Sequence, residues 1–167
     1  MSWSDKPDLS PGTDPDGSQM EILLDQVESL TAPGWTNYSS TFTLTGSVSN
    51  PTLGNSTVAA YYRQSTSSDL VHVRIYLLIG STFVVGSGDY RFSLPVPASA
   101  AEITGGIGVV YHLDASPGTN HVGICVPISA SQLCLIDDGV SNFVGAANPV
   151  VPATGDTYRI KYAYEPA

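Results

Sequence analysis

The sequence predicts an all-β fold, a single β-sandwich domain of jelly-roll type, preceded by an extended N-terminal arm and one short helix. Three observations predict it. Glycine and proline are plentiful, 16 and 12 of 167 residues. Apolar stretches are interrupted by polar residues at every second position, and short strand-like runs recur at regular intervals without a longer repeat. Hydrophobic content of 42% against 13% charged residues also excludes a disordered chain.

The arm occupies residues 1–17. Pro7, Pro11, Gly12, Pro15 and Gly17 punctuate it, a composition that forms no core of its own. The helix follows in "SQMEILLDQVESL". Ser18 and Glu21 stand at capping-box spacing, and Met20, Leu23, Val27 and Leu30 draw one apolar stripe before Pro33-Gly34 ends the pattern. Three turns are too few for stability alone in water. The stripe therefore packs on the chain's own β domain, on the same helix of a neighbouring subunit, or in a groove of a larger assembly.

The β domain begins at Trp35. "STFTLTG" opens it, followed by "TVAAYYRQ" and "LVHVRIYLLI". In the last of these Val71, Val73, Ile75 and Leu77 face one way and His72, Arg74 and Tyr76 the other. "TFVVG" and "YRFSLPV" read as a hairpin across Gly86-Ser87-Gly88-Asp89. "GIGVVYHL", "HVGICVPI" and "QLCLID" continue the series. "DTYRIKYAYE" closes it, with Tyr158, Ile160, Tyr162 and Tyr164 on one face. A domain of roughly 130 residues buries enough surface to fold without staples.

Charge is distributed unevenly. Net charge is −9, and residues 1–34 hold seven acids (Asp5, Asp8, Asp14, Asp16, Glu21, Asp25, Glu28) against Lys6. Six Lys and Arg in all do not build a track for phosphate backbones, so nucleic acid is not an expected partner. The acidic segment suits a basic surface on another protein, or is simply solvated. No run approaches the ~20 apolar residues of a membrane span, and the start lacks a signal-peptide pattern, so synthesis in a cytosol and no membrane are expected.

Chemistry-bearing residues are sparse. Cys125 and Cys134 lie symmetrically about Ser129-Ala130, so a hairpin there makes a disulfide conceivable, while cytosolic synthesis and apolar neighbours favour two buried thiols. Without CxxC or an adjacent histidine no zinc site is expected. His112 and Asp114 share one side of a strand, yet no nucleophile elbow accompanies them. Most acids of the β domain neighbour Gly, Pro or Ser, as turn residues do, and Asp137-Asp138-Gly139 reads the same way. No enzyme, cofactor or metal is expected. Tyrosines in predicted strands are the remaining binding signal: Tyr61, Tyr76, Tyr90 and Tyr162 are candidates for ligand or intersubunit contact, with core packing as the plainer alternative.

"WTNYSSTFTLTGSVSNPTLGNSTVAAYYRQ", "VHVRIYLLIGSTFVVGSGDYRFSLPVPA" and "ATGDTYRIKYAYEPA" together resemble a β domain of tailed-bacteriophage virion proteins, especially phages of actinobacterial hosts. The resemblance spans residues 35–167 and rests on strands and turns. It implies a non-enzymatic virion protein, commonly trimeric, found at tail-fibre or minor-tail-protein ends, with related small domains decorating capsids. Behind only 34 leading residues, such a domain is expected to be a capsid decoration or head-fibre-like protein. Met20, Leu23, Val27, Leu30, Asp5, Asp8, Asp14 and Asp16 would then contact other virion proteins, the major capsid protein among them, or neighbouring subunits. The alternative implied is a tail-tip protein whose tyrosines hold a host surface glycan.

Overall fold

A computed structural model describes residues 34–65, 69–137, 143–147 and 151–167. The arm and helix expected before Gly34, with their acids and apolar stripe, lie outside the described residues, as do Asp138 and Gly139.

The described chain is all-β, as expected. Its strands are β1 (Thr36–Asn37), β2 (Leu44–Gly46), β3 (Thr57–Gln64), β4 (Val71–Leu78), β5 (Tyr90–Ser93), β6 (Gly108–Asp114), β7 (Thr119–Ser129), β8 (Gln132–Asp137) and β9 (Thr157–Tyr164). All pair antiparallel in one sheet of order β1-β3-β4-β9-β6-β7-β8-β5-β2. That sheet curls as a half-barrel. Curling supplies the two facing layers of a sandwich from one sheet: Phe92 of β5 lies 6.2 Å from Tyr158 of β9, with three strands between them in the sheet.

The concave side is the core. Alternation along β4 buries Val71, Val73, Ile75 and Leu77, and along β9 it buries Tyr158, Ile160, Tyr162 and Tyr164, both as the pattern predicts. Tyr38, Phe42 and Leu44 belong to the same buried core, with Tyr38 and Phe42 edge to face at 6.4 Å. Aromatic rings of this size account for much of the apolar area removed from water.

Two local expectations are corrected. Residues 82–86 do not form a hairpin with β5. Val84 instead bridges Thr52, and Ser87 bridges Ser49. Glycine is the reason: a Cβ at Gly86 would overlap the Ser49 carbonyl, and one at Gly88, whose φ is +80°, would overlap the Ser47 hydroxyl. These glycines therefore lie flat against the 46–51 loop rather than turning a tight hairpin. Secondly, a helix that the strand count left out, α1 (Ala100–Gly105), precedes β6. Ser99 caps it by accepting from the Glu102 N–H at 3.4 Å, and the Gly106 N–H closes it on the Glu102 carbonyl at 2.8 Å.

A candidate binding face

Convex positions of the sheet follow from the same alternation. Register places Tyr61, Arg74, Lys161, Val109 and Ile124 in one row across β3, β4, β9, β6 and β7. Ala59, Tyr76, Arg159, Tyr111 and Val122 form the next row. Arg63 and His72 extend the face toward the edge strand β1, where Trp35 precedes the first ladder pair.

Two cation–aromatic ladders organise this face. The Arg74 guanidinium lies 4.2 Å from the Trp35 ring centre and 5.0 Å from that of Tyr61, with Arg63 5.2 Å from Trp35. Arg159 sits between Tyr76 and Tyr111 at 5.7 and 5.6 Å. The ring faces present negative quadrupole to the guanidinium, each contact stabilising by about 0.5–1 kcal/mol at such exposed sites. Beside the ladders Ile107, Val109 and Val122 are 66%, 56% and 59% exposed. A surface cleft of about 430 Å³ runs between Trp35, Ile107 and Val109, over Ala163, with His72, Arg74 and Lys161 on its walls. Ala163 makes the depression, being a small residue between larger ones in neighbouring rows.

Four of the chain's six Lys and Arg thus stand on one face of a protein whose net charge is −9. No acidic residue occupies a convex position of β3, β4, β9 or β6. Arg74 and Lys161 lie directly opposite each other across the ladder, an arrangement that like charges disfavour.

The tyrosine candidates divide between the two sides. Tyr61 and Tyr76 are half-buried on the convex face and belong to the ladders. Tyr90 and Tyr162, only 1% and 3% exposed, are core residues with no surface to offer a ligand. Inward parity in β5 and β9 dictates this. Burial pushes the Tyr90 phenol up to about 12. Burial, then the hydrogen bond from its hydroxyl to Glu102 at 3.1 Å, raises the Tyr162 phenol further.

His112 and Asp114 share a strand side, as expected, but it is the concave one. His112 stacks at 4.3 Å on Tyr158 and at 5.4 Å on His121. The Asp114 carboxylate accepts the Ser116 N–H at 3.3 Å, an Asx turn. Asp156, fully buried, accepts N–H groups of Ala115 at 2.9 Å and Ala153 at 2.8 Å, which ties two turns together. Among the described residues no cluster of His, Cys, Asp and Glu could hold a metal ion, and no helix is long and apolar enough to cross a membrane.

The cysteines are free and buried. Register pairs Cys125 with Leu135 and Val126 with Cys134, owing to an irregularity between Pro127 and Ser129. A one-residue slip sends neighbouring side chains to opposite faces, so the disulfide that a symmetric hairpin allowed is geometrically closed off. Burial pushes the Cys125 thiol up to about 12 and, together with the nearby Asp89, the Cys134 thiol up to about 11.

Sequence reasoning placed Arg74 and Tyr76 outward but missed the face as a whole. Its signal is the register between β4 and β9, which no single strand carries. Comparison with protein-family models, with curated proteins and with solved structures finds no match to the chain. The likeness to phage virion domains therefore stands on the strand-and-turn pattern of residues 35–167 alone.

Proposed function

We propose that the chain is a non-enzymatic structural protein of a tailed-phage virion, a capsid decoration or head-fibre-like protein that docks through its acidic leading segment and displays the β domain as a trimer. The observation that carries this reading is the division of charge. Six of the nine net negative charges fall in the first 34 residues, in a Pro- and Gly-punctuated stretch, ahead of a domain with a continuous core of its own. A separable charged arm before a self-sufficient domain suits an appendage added to an assembled particle. Buried acids and His112 serve turns and stacking, which supports a role in binding over one in turnover. If each subunit contact buries ~1,600 Å², specific assembly follows. Removing residues 1–17 is expected to abolish retention on purified particles while the circular-dichroism spectrum of the β domain persists. Retention by the truncated protein would contradict the reading.

A second reading, a tail-tip receptor binder for a host surface glycan, draws support from the aromatic cleft at Trp35. Sugar rings stack on such faces. Binding to host cell-wall polysaccharide, lost in Trp35→Ala, would favour it over decoration.

A further inference from the structure

The cleft at Trp35 lies over two rows of the sheet. His72 of β4 pairs with Ala163 of β9 in one, and Arg74, Lys161 and Val109 follow across β4, β9 and β6 in the other. Cations thus stand at its centre, with the Trp35 ring on one side and Ile107 with Val109 on the other.

The polar side chains of this cleft are donors. Trp35 offers an indole N–H, Arg74 a guanidinium and Lys161 an ammonium, none of which accepts a hydrogen bond. His72 adds one acceptor nitrogen when neutral. The Tyr162 hydroxyl is turned to Glu102 at 3.1 Å. Among the described residues that line the cleft there is no Asp, Glu, Asn, Gln, Ser or Thr. Such a wall answers a ligand rich in acceptors and negative charge. Arg74 and Lys161 are directly opposed, which sets their Cβ atoms about 4.5–5.5 Å apart. An anion between them turns a disfavoured like-charge pair into two attractive contacts.

Arg74 is arranged for a carboxylate. Its contacts with the Trp35 and Tyr61 rings, at 4.2 and 5.0 Å, draw on its charge and on none of its N–H donors. A guanidinium held on rings loses less freedom when its planar fork meets a carboxylate in two parallel bonds. Trp35 still has 38% of its surface in solvent and Ile107 has 66%, enough apolar area to receive the C–H face of a sugar ring. A sugar hydroxyl can turn to accept from these donors and a peptide N–H cannot, so the wall favours a saccharide over an acidic peptide.

We propose that this cleft binds an acidic saccharide, a pyranose bearing a carboxylate such as a uronic acid unit of a surface polymer. The carboxylate lies between Arg74 and Lys161, the ring packs on Trp35, and the neighbouring sugar unit lies over Ala163 toward Ile107. This ligand class rests on the glycan reading of the cleft and specifies it. It does not depend on whether the domain is displayed on the head or the tail.

Isothermal titration calorimetry of the full chain tests this, with oligogalacturonate and oligoglucuronate as probes. Binding of at least one is expected, and its methyl ester should bind about tenfold or more weaker, the worth of one charge-assisted hydrogen bond. Lys161→Gln and Arg74→Gln should each weaken the acid form by a similar factor. Ala163→Phe, which fills the floor and changes no charge, should abolish binding with an unchanged circular-dichroism spectrum. The comparison of acid with ester uses the wild-type chain and needs no variant to fold. Equal binding of acid and ester would overturn the acidic ligand and leave the glycan reading standing. No binding of either form at millimolar ligand would overturn both. Polyglutamate, or a glycerol-phosphate polymer, that bound as tightly as the uronates would also overturn the proposal, since charge alone would then suffice.

Discussion

Asp156 shows how a carboxylate in this chain is committed to architecture. Fully buried, it takes one N–H from each of two turns. Asp156→Ala would strand both donors, and each unsatisfied buried group costs about 1–3 kcal/mol. A drop in stability of about 3 kcal/mol in urea unfolding is expected, and a change under about 0.5 kcal/mol would contradict the assignment. The cysteines give a second residue-scale prediction. A thiol-specific reagent at neutral pH should find no reactive group in the folded protein and two after denaturation. Alkaline stability follows from the same burial. Below pH about 9, the ordinary thiol value, both thiols are neutral folded and unfolded, and their contribution is fully present. As pH rises past 9 the unfolded chain ionises first, so stability falls toward the folded values of about 11 and 12. A urea midpoint that is flat to pH about 9 and declines above it is expected; a rise there would refute the buried-thiol account.

At the scale of elements, β4 and β9 were legible because a period of two over eight residues cannot serve any other structure without exposing half a core. Tyr158, Ile160, Tyr162 and Tyr164 fall inside for that reason alone. Helix α1 was legible in principle: Ser99 and Glu102 repeat the capping-box spacing that marks Ser18 and Glu21. It is too short for a hydrophobic stripe, and so escapes a search for periodicity. Its Glu102 carboxylate turns away from the cap to accept from Tyr162 Oη at 3.1 Å and the Glu165 N–H at 3.2 Å. Ser99→Ala should therefore cost about 1 kcal/mol, the value of an N-cap, in thermal unfolding. The missed pairing of residues 82–87 has the opposite cause. Close approach of glycine to a distant carbonyl is a tertiary fact, and nothing within "TFVVGSG" encodes its partner. The candidate face was hidden likewise, since its residues come from five strands and from Trp35 and Ile107 just outside them.

At the scale of the whole molecule, the described residues form one curled sheet whose distant strands meet through aromatic contacts. Phe92 is central, touching Phe42 at 6.2 Å and Tyr158 at 6.2 Å. Phe92→Ala should destabilise by about 3–5 kcal/mol, read from the urea midpoint. Charge divides the molecule too, between an acidic leading segment and a convex face where most of the cations gather. That division underlies the proposed role on a virion. Immunogold electron microscopy of phage particles, with an antibody against residues 35–167, tests it most directly. Gold distributed over the heads is the predicted result and fixes the protein as a capsid appendage. Gold confined to the tail tip would contradict decoration and favour the receptor-binding reading, and particles without gold would contradict a virion role altogether.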